Sequence, residues 1–241
     1  MPRLPQKPPS SSDARVTGLT ASRAVAYEPP RVVVRLRRTG PAAYGSRPKA
    51  LIERERPLVE RINWQRVEAF LCRAHAASRP IDEAFVFSLH RLTLEGTVVR
   101  EEDRGSYRDR RVVVRYQKRM WGRGAEPSDI DGAMGALLAR VNWRGSTDVI
   151  EAAASAFLEF VRIHPFVQGN GRVARALATY ILMREGFSHR IGMQLERYFD
   201  GNPAAYYSAI RRGLLGDVSA WQGLLREAVR VSALLAAPFT R

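Results

Sequence analysis

Side chains that could do chemistry together crowd into one short stretch, residues 164–175. His164 and Pro165 come first, then Phe166 and Gln168. Gly169, Asn170 and Gly171 follow, and Arg172 and Arg175 close the stretch. Histidine is the side chain best suited to take a proton near neutral pH. A Gly-Asn-Gly turn is free to adopt positive φ. If a helix begins just after it, several backbone N–H groups aim at one point at the positive end of a helix dipole, which makes an anion cradle. Arg172 and Arg175 are three apart and project from neighbouring positions of that first turn. Two guanidinium groups there repel each other unless an anion or a carboxylate answers them, and a phosphate can do so bidentately. Asn170 adds a side-chain amide able to donate to a phosphate oxygen. A base beside a polyphosphate cradle is what hydroxyl attack on phosphorus requires; positioning and charge neutralisation do most of the rest.

The elements on either side fit this reading. Before His164, a helix carries Ile150, Ala154, Phe157, Leu158 and Val161 on its inner side, with Thr147 as a candidate cap; Pro165 forbids its continuation. After the turn, a second helix runs from about Gly171 or Arg172 to Glu185 and is closed by Gly186. Upstream, residues 58–76 and 81–95 read as helices, the second ended by Gly96. His90 lies on that helix among Phe85, Phe87, Leu89 and Leu94 as a packing histidine. The period then breaks. Residues 101–109 are turn-like, and Val112, Val113, Val114 and Tyr116 suggest a short hairpin. Ser128 reads as the cap of a helix to about Asn142, with Ile130, Met134, Leu137, Leu138 and Val141 inward. Two more helices follow at about 203–215 and 218–236. The fold class is mainly α: a helical bundle with one small β-hairpin.

Rival readings of the motif are weaker. Residues 169–174 formally match G-x-G-x-x-[GA], but that fingerprint needs a buried strand before it, and here a helix precedes it. No Walker P-loop occurs, and the four histidines are too scattered for a zinc site. A bland alternative is that His164, Asn170 and the arginines merely stitch one helix pair together.

The composition bounds the rest. With 241 residues, 45% hydrophobic and 26% charged, the chain has the make-up of a soluble globular protein, long enough for one domain with an appendage or for two small domains. No stretch approaches the roughly 20 apolar residues of a membrane helix, and no apolar signal region opens the chain. Cys72 is the single cysteine, which excludes an internal disulfide framework. The net charge of +15 permits polyanion binding. Lysine stands only at Lys7, Lys49 and Lys118, however, and no DNA-reading motif accompanies the arginines, so nucleic acid is not the expected partner. Residues 1–49 are Pro- and Arg-rich and read as a disordered basic arm, within which residues 31–36 form a strand-like run. Residues 50–241 read as the folded domain.

His164, Phe166, Gly169, Asn170, Gly171, Arg172 and Arg175 resemble the Fic/Doc signature H-x-F-x-[DE]-G-N-G-R-x-x-R, with outer resemblance over about residues 55–236. This resemblance implies a Fic-type helical fold whose members typically move AMP from ATP to a Ser, Thr or Tyr hydroxyl of a target protein. On that pattern His164 is the general base and Phe166 anchors the loop. Gly169, Asn170 and Gly171 form the anion hole, Arg172 holds the β-phosphate and Arg175 the γ-phosphate. Tyr107, Arg108, Val112, Val113 and Val114 belong to the flap that docks a target strand by β-augmentation. Gln168 departs from the pattern by replacing the metal-binding acid. A neutral amide is a weaker magnesium ligand, so magnesium is expected to be held mainly by the phosphates. Three outcomes stay open: slower AMP transfer, a different phosphate-containing donor, or a nucleotide-binding pseudoenzyme. The family's inhibitory pattern [ST]-x-x-x-E-[GN] is missing, since Arg91 precedes Glu95 and Ile181 precedes Glu185 where Ser or Thr is needed. Either a separate antitoxin-like inhibitor supplies it or control differs. Synthesis in the cytoplasm is expected, with delivery into another cell as an effector left open.

Overall fold

A computed structural model of the chain describes residues 49–236 except 98, 117–118 and 144–147. The expected basic arm, its strand-like run and Thr147 lie outside the described residues. Among the described residues the chain forms eight α-helices and one two-stranded sheet: α1 (Lys49–Ala76), α2 (Glu83–Leu94), β1 (Val113–Tyr116), β2 (Arg119–Arg123), α3 (Ile130–Asn142), α4 (Val149–Ile163), α5 (Asn170–Arg184), α6 (Ile191–Gly201), α7 (Pro203–Leu214) and α8 (Val218–Ala236). No helix among them is long and apolar enough to cross a membrane.

α4 and α5 make the central pair. α4 buries Ala153, Ala154, Ala156, Phe157, Leu158, Phe160, Val161 and Ile163 along one face. α5 is apolar nearly all round and buries every residue from Val173 to Met183 except Arg175, as a helix enclosed by neighbours must. α1 and α2 cover one side of the pair. α6, α7 and α8 cover another, where the Trp221 ring stacks on Phe157 at 4.2 Å and its Nε1–H donates to the Ala154 carbonyl at 3.1 Å. Each large apolar side chain buried this way contributes roughly 1.5–3 kcal/mol.

The local signals explain most boundaries. Asp82 caps α2 by accepting from the Phe85 N–H at 2.6 Å. Asp148 caps α4 by accepting from the N–H groups of Ile150 and Glu151. The expected Ser128 cap is not formed. Residues Pro127–Asp129 make a 3₁₀ turn that feeds directly into α3, and the Ser128 hydroxyl bonds to Asp129. α1 begins nine residues before residue 58 and runs across Pro57, which lacks a backbone donor. α6 went unread in the sequence, although Ile191, Leu195 and Phe199 stand at helical spacing and are all buried. The hairpin pairs β1 with β2 antiparallel, Val113 opposite Arg123 and Val114 opposite Gly122, with a bulge after Val114.

Candidate active site

The turn between α4 and α5 is built from both of its ends. His164 closes α4 with its N–H on the Phe160 carbonyl at 2.9 Å and takes the left-handed conformation, φ 54°. Gly169, at φ 81°, sits at the N-cap of α5 with no side-chain cap, and α5 starts at Asn170, slightly earlier than the spacing suggested. Helix geometry leaves the first N–H groups of α5 without helical acceptors. Those groups stand at the positive pole of a nearly fully buried helix, where negative charge is favoured.

Beneath the turn lies an aromatic floor. Phe166 is fully buried and stacks face to face on His90, centroids 3.7 Å apart and planes 5° apart, with Phe87, Tyr107 and Phe160 around it. His90 is fully buried and uses both ring nitrogens. The Gly105 N–H donates to Nδ1 at 2.8 Å, so the proton resides on Nε2, which donates to the Gln168 carbonyl at 3.0 Å. Burial holds its pKa down at about 4. His90 is thus the packing histidine read from the sequence, and it also supports the motif turn from below.

His164 contrasts with it. Only Nδ1 is engaged, with the Val161 carbonyl at 3.2 Å. A carbonyl can only accept, so the proton sits on Nδ1 and the lone pair on Nε2, which has no hydrogen-bond partner among the described residues. Burial pushes its pKa below the usual histidine value, and the nearby Arg108 adds to this.

Other expected residues are placed differently from the sequence reading. The Asn170 amide turns inward. It is buried and folds back on the turn, Oδ1 accepting from the Phe166 N–H at 3.0 Å and Nδ2 donating to the Phe166 carbonyl at 2.8 Å. Its short side chain makes a closed ring with the turn, which is the commoner role for an asparagine there. Of the two replies open to the motif arginines, carboxylates answer both. Arg172 reaches the Thr93 carbonyl at the end of α2 and lies 3.4 Å from Glu60 of α1. Arg175 is bonded to Glu196 of α6 and to the Tyr206 hydroxyl of α7, and it lies over the Tyr206 ring. Spacing along α5 could not reveal partners on four other helices.

The Gln168 side chain is exposed, while its carbonyl is held by His90. Among the described residues no group of three or more His, Cys, Asp or Glu could hold a metal ion. With an amide at 168 the residues present do not fit a protein-held magnesium. In the flap, Val113 is exposed and Val112 and Val114 are half-buried, Val112 lying just before β1. Tyr107 and Arg108 are not offered on the flap edge. The Tyr107 ring joins the aromatic floor, and burial pushes its hydroxyl pKa up. Arg108 is buried under the end of α4, a role that the sequence reading missed.

Comparison with known proteins places this arrangement. Residues 80–182 match the model of the Fic/DOC family. A protein adenylyltransferase fic-1 from Caenorhabditis elegans is 42% identical over 71 residues, which is 30% of this chain and 13% of that protein. A protein adenylyltransferase Fic from Nematostella vectensis is 36% identical over 97 residues, 38% of this chain and 21% of that protein. The matches therefore span only a small part of these relatives' length. Among solved structures, a fragment of C. elegans Fic-1 superposes with a TM-score of 0.57 at 23% identity over 73% of this chain and 49% of that one. A Fic domain-containing signalling protein from Bacteroides thetaiotaomicron gives 0.54 at 23% identity over 81% and 76%. Residues 80–182 thus carry the match to the Fic/DOC family, within a helical fold shared with these solved structures.

Proposed function

We propose that the chain is a protein adenylyltransferase that uses ATP and acts on a hydroxyl of a target protein. The observation that carries this reading is His164, an imidazole with its proton fixed on Nδ1 and its Nε2 open, in the turn that leads into the N-terminus of α5. In the reaction, Nε2 takes the proton of a Ser, Thr or Tyr hydroxyl as the hydroxyl oxygen attacks the α-phosphorus of ATP. The bond from that phosphorus to the bridging oxygen breaks, and pyrophosphate leaves with the electron pair. The N–H groups at the start of α5 receive the phosphate charge. For Arg172 and Arg175 to join, ATP must displace Glu60 and Glu196. The exposed edge at Val113 suits the backbone of an extended target segment. Residues 50–241 are the catalytic unit on this reading, and residues 1–49 an appended arm. The adenylyltransferase names of the nematode and sea-anemone relatives support it.

A second reading is a nucleotide-binding domain that does not turn over. It is favoured by the commitment of Arg175 to Glu196 and Tyr206 and by the amide at Gln168. Incubation with α-phosphate-labelled ATP and a cell lysate separates the two. Label on protein, lost in His164→Ala, supports transfer; bound ATP without label supports the second reading.

A further inference from the structure

We infer that Arg108 is the positioning residue for His164: its buried guanidinium ties the end of α4 to both legs of the flap and fixes the turn that carries the base. This rests on His164 being that base. Arg108 is only 4% exposed, and among the described residues it forms no ion pair. A buried charge is costly without compensation, and here backbone carbonyls supply it. Nε donates to the His164 carbonyl at 2.8 Å and Nη1 to the Arg110 carbonyl at 2.8 Å. Nη2 is shared between Ala125 at 2.5 Å and Ile163 at 3.4 Å. The main chain joins in, with the Arg108 N–H on the Pro165 carbonyl at 2.9 Å and the Ala125 N–H on the Ile163 carbonyl at 3.0 Å. Three successive carbonyls, at 163, 164 and 165, are thus held by residues 108 and 125, one on each leg of the flap.

Two features show that this contact is built into the chain. Gly124 leaves room for it: an added Cβ would stand 2.6 Å from Arg108 Nη2 and 2.9 Å from His164 Cβ. His164 holds a left-handed backbone, which costs a side-chain-bearing residue about 1 kcal/mol and persists only when its surroundings impose it. The planar guanidinium reaches several acceptors in one plane, as a lysine ammonium cannot. A cation at the C-terminus of α4 also answers the helix dipole. The flap legs are therefore coupled to His164 through this side chain together with the two main-chain bonds beside it.

The test uses the full chain with Arg108→Lys and with Gly124→Ala, which keeps the guanidinium but crowds it. Circular dichroism checks folding, and nitrogen-15 NMR of the imidazoles reads the His164 tautomer without turnover. Labelled ATP then gives kcat and KM. The expected result is one Nδ1–H tautomer in the wild type and a mixture in both variants. With it, kcat falls on the order of 10²-fold at unchanged KM for ATP, the penalty of a slightly displaced base. If both variants keep the wild-type tautomer and kcat, the inference is overturned. It is equally overturned if KM rises while kcat stays, because Arg108 would then only support the cradle. Should Arg108→Lys not fold, Gly124→Ala decides. If the wild type transfers no AMP, the proposed reaction fails, and the tautomer measurement still decides the role of Arg108.

Discussion

Two histidines flank the same turn and differ by one hydrogen bond. His90, under the turn, uses both ring nitrogens and stacks on Phe166; His164, at its start, uses only Nδ1. Burial lowers the pKa of both. The first is therefore a neutral strut between α2, the Gly105 turn and the Gln168 carbonyl. The second is a neutral base with a lone pair to offer. Burial and a shifted pKa do not tell a structural histidine from a reactive one. What differs between these two is the count of ring nitrogens already satisfied, and the proposed function rests on the one left open in His164.

Exchanging their fates is the sharpest way to break this comparison. His164→Ala is expected to lower AMP transfer by about 10²–10⁴-fold, the usual contribution of a positioned base, while Tm and ATP affinity stay near wild type. His90→Ala is expected to do the reverse. It removes a stacked ring and leaves the Gly105 N–H and the Gln168 carbonyl without partners, costing about 3 kcal/mol or more of stability. Thermal unfolding of the two variants side by side checks this. Equal losses of stability would contradict it.

The pH dependence of stability sharpens the contrast. His90 has a folded pKa of about 4, below the unfolded value near 6.5, so below that value the unfolded chain binds more protons. Its contribution is fully present above pH 6.5 and is lost as the pH falls from there toward 4. The expected loss is about 3 kcal/mol, read as a fall in urea midpoint between pH 7 and pH 4. His90→Gln is expected to flatten that slope.

Asn170→Ala is expected to cost about 2 kcal/mol, since it deletes both bonds to the Phe166 backbone inside a buried turn. The smallest expected effect is at the surface of the turn. Gln168→Glu is expected to raise AMP transfer roughly tenfold, a barrier change of ~1.4 kcal/mol, with no change in Tm. A magnesium titration of transfer by the two proteins would show whether the added carboxylate accounts for the gain.

Much of the molecule could be read in the sequence because it depends on local rules. Pro165 and Gly169 place the break between α4 and α5, and the 3.6-residue spacing of Phe157, Val161 and their neighbours gives the inner face. α6 shows why the rest was harder. It has 11 residues, two of them glycines at 192 and 201, and its stripe of Ile191, Leu195 and Phe199 is short enough to pass as loop. The motif's residue types were equally plain. Their contacts were not, because those depend on parts of the chain far apart in sequence. Arg172 meets Thr93 and Glu60, Arg175 meets Glu196 and Tyr206, and Arg108 meets the carbonyls of 163 and 164. No periodicity along one helix encodes which carboxylate of another helix will stand opposite.

On the proposed function, His164 is the base of an AMP transfer. The direct measurement is incubation of wild type and His164→Ala with ATP labelled on the α-phosphate and, separately, on the γ-phosphate, in the presence of a cell lysate. Protein label from the α-phosphate alone, absent in His164→Ala, is the predicted result. Protein label from the γ-phosphate, or α-label that survives in His164→Ala, would contradict it.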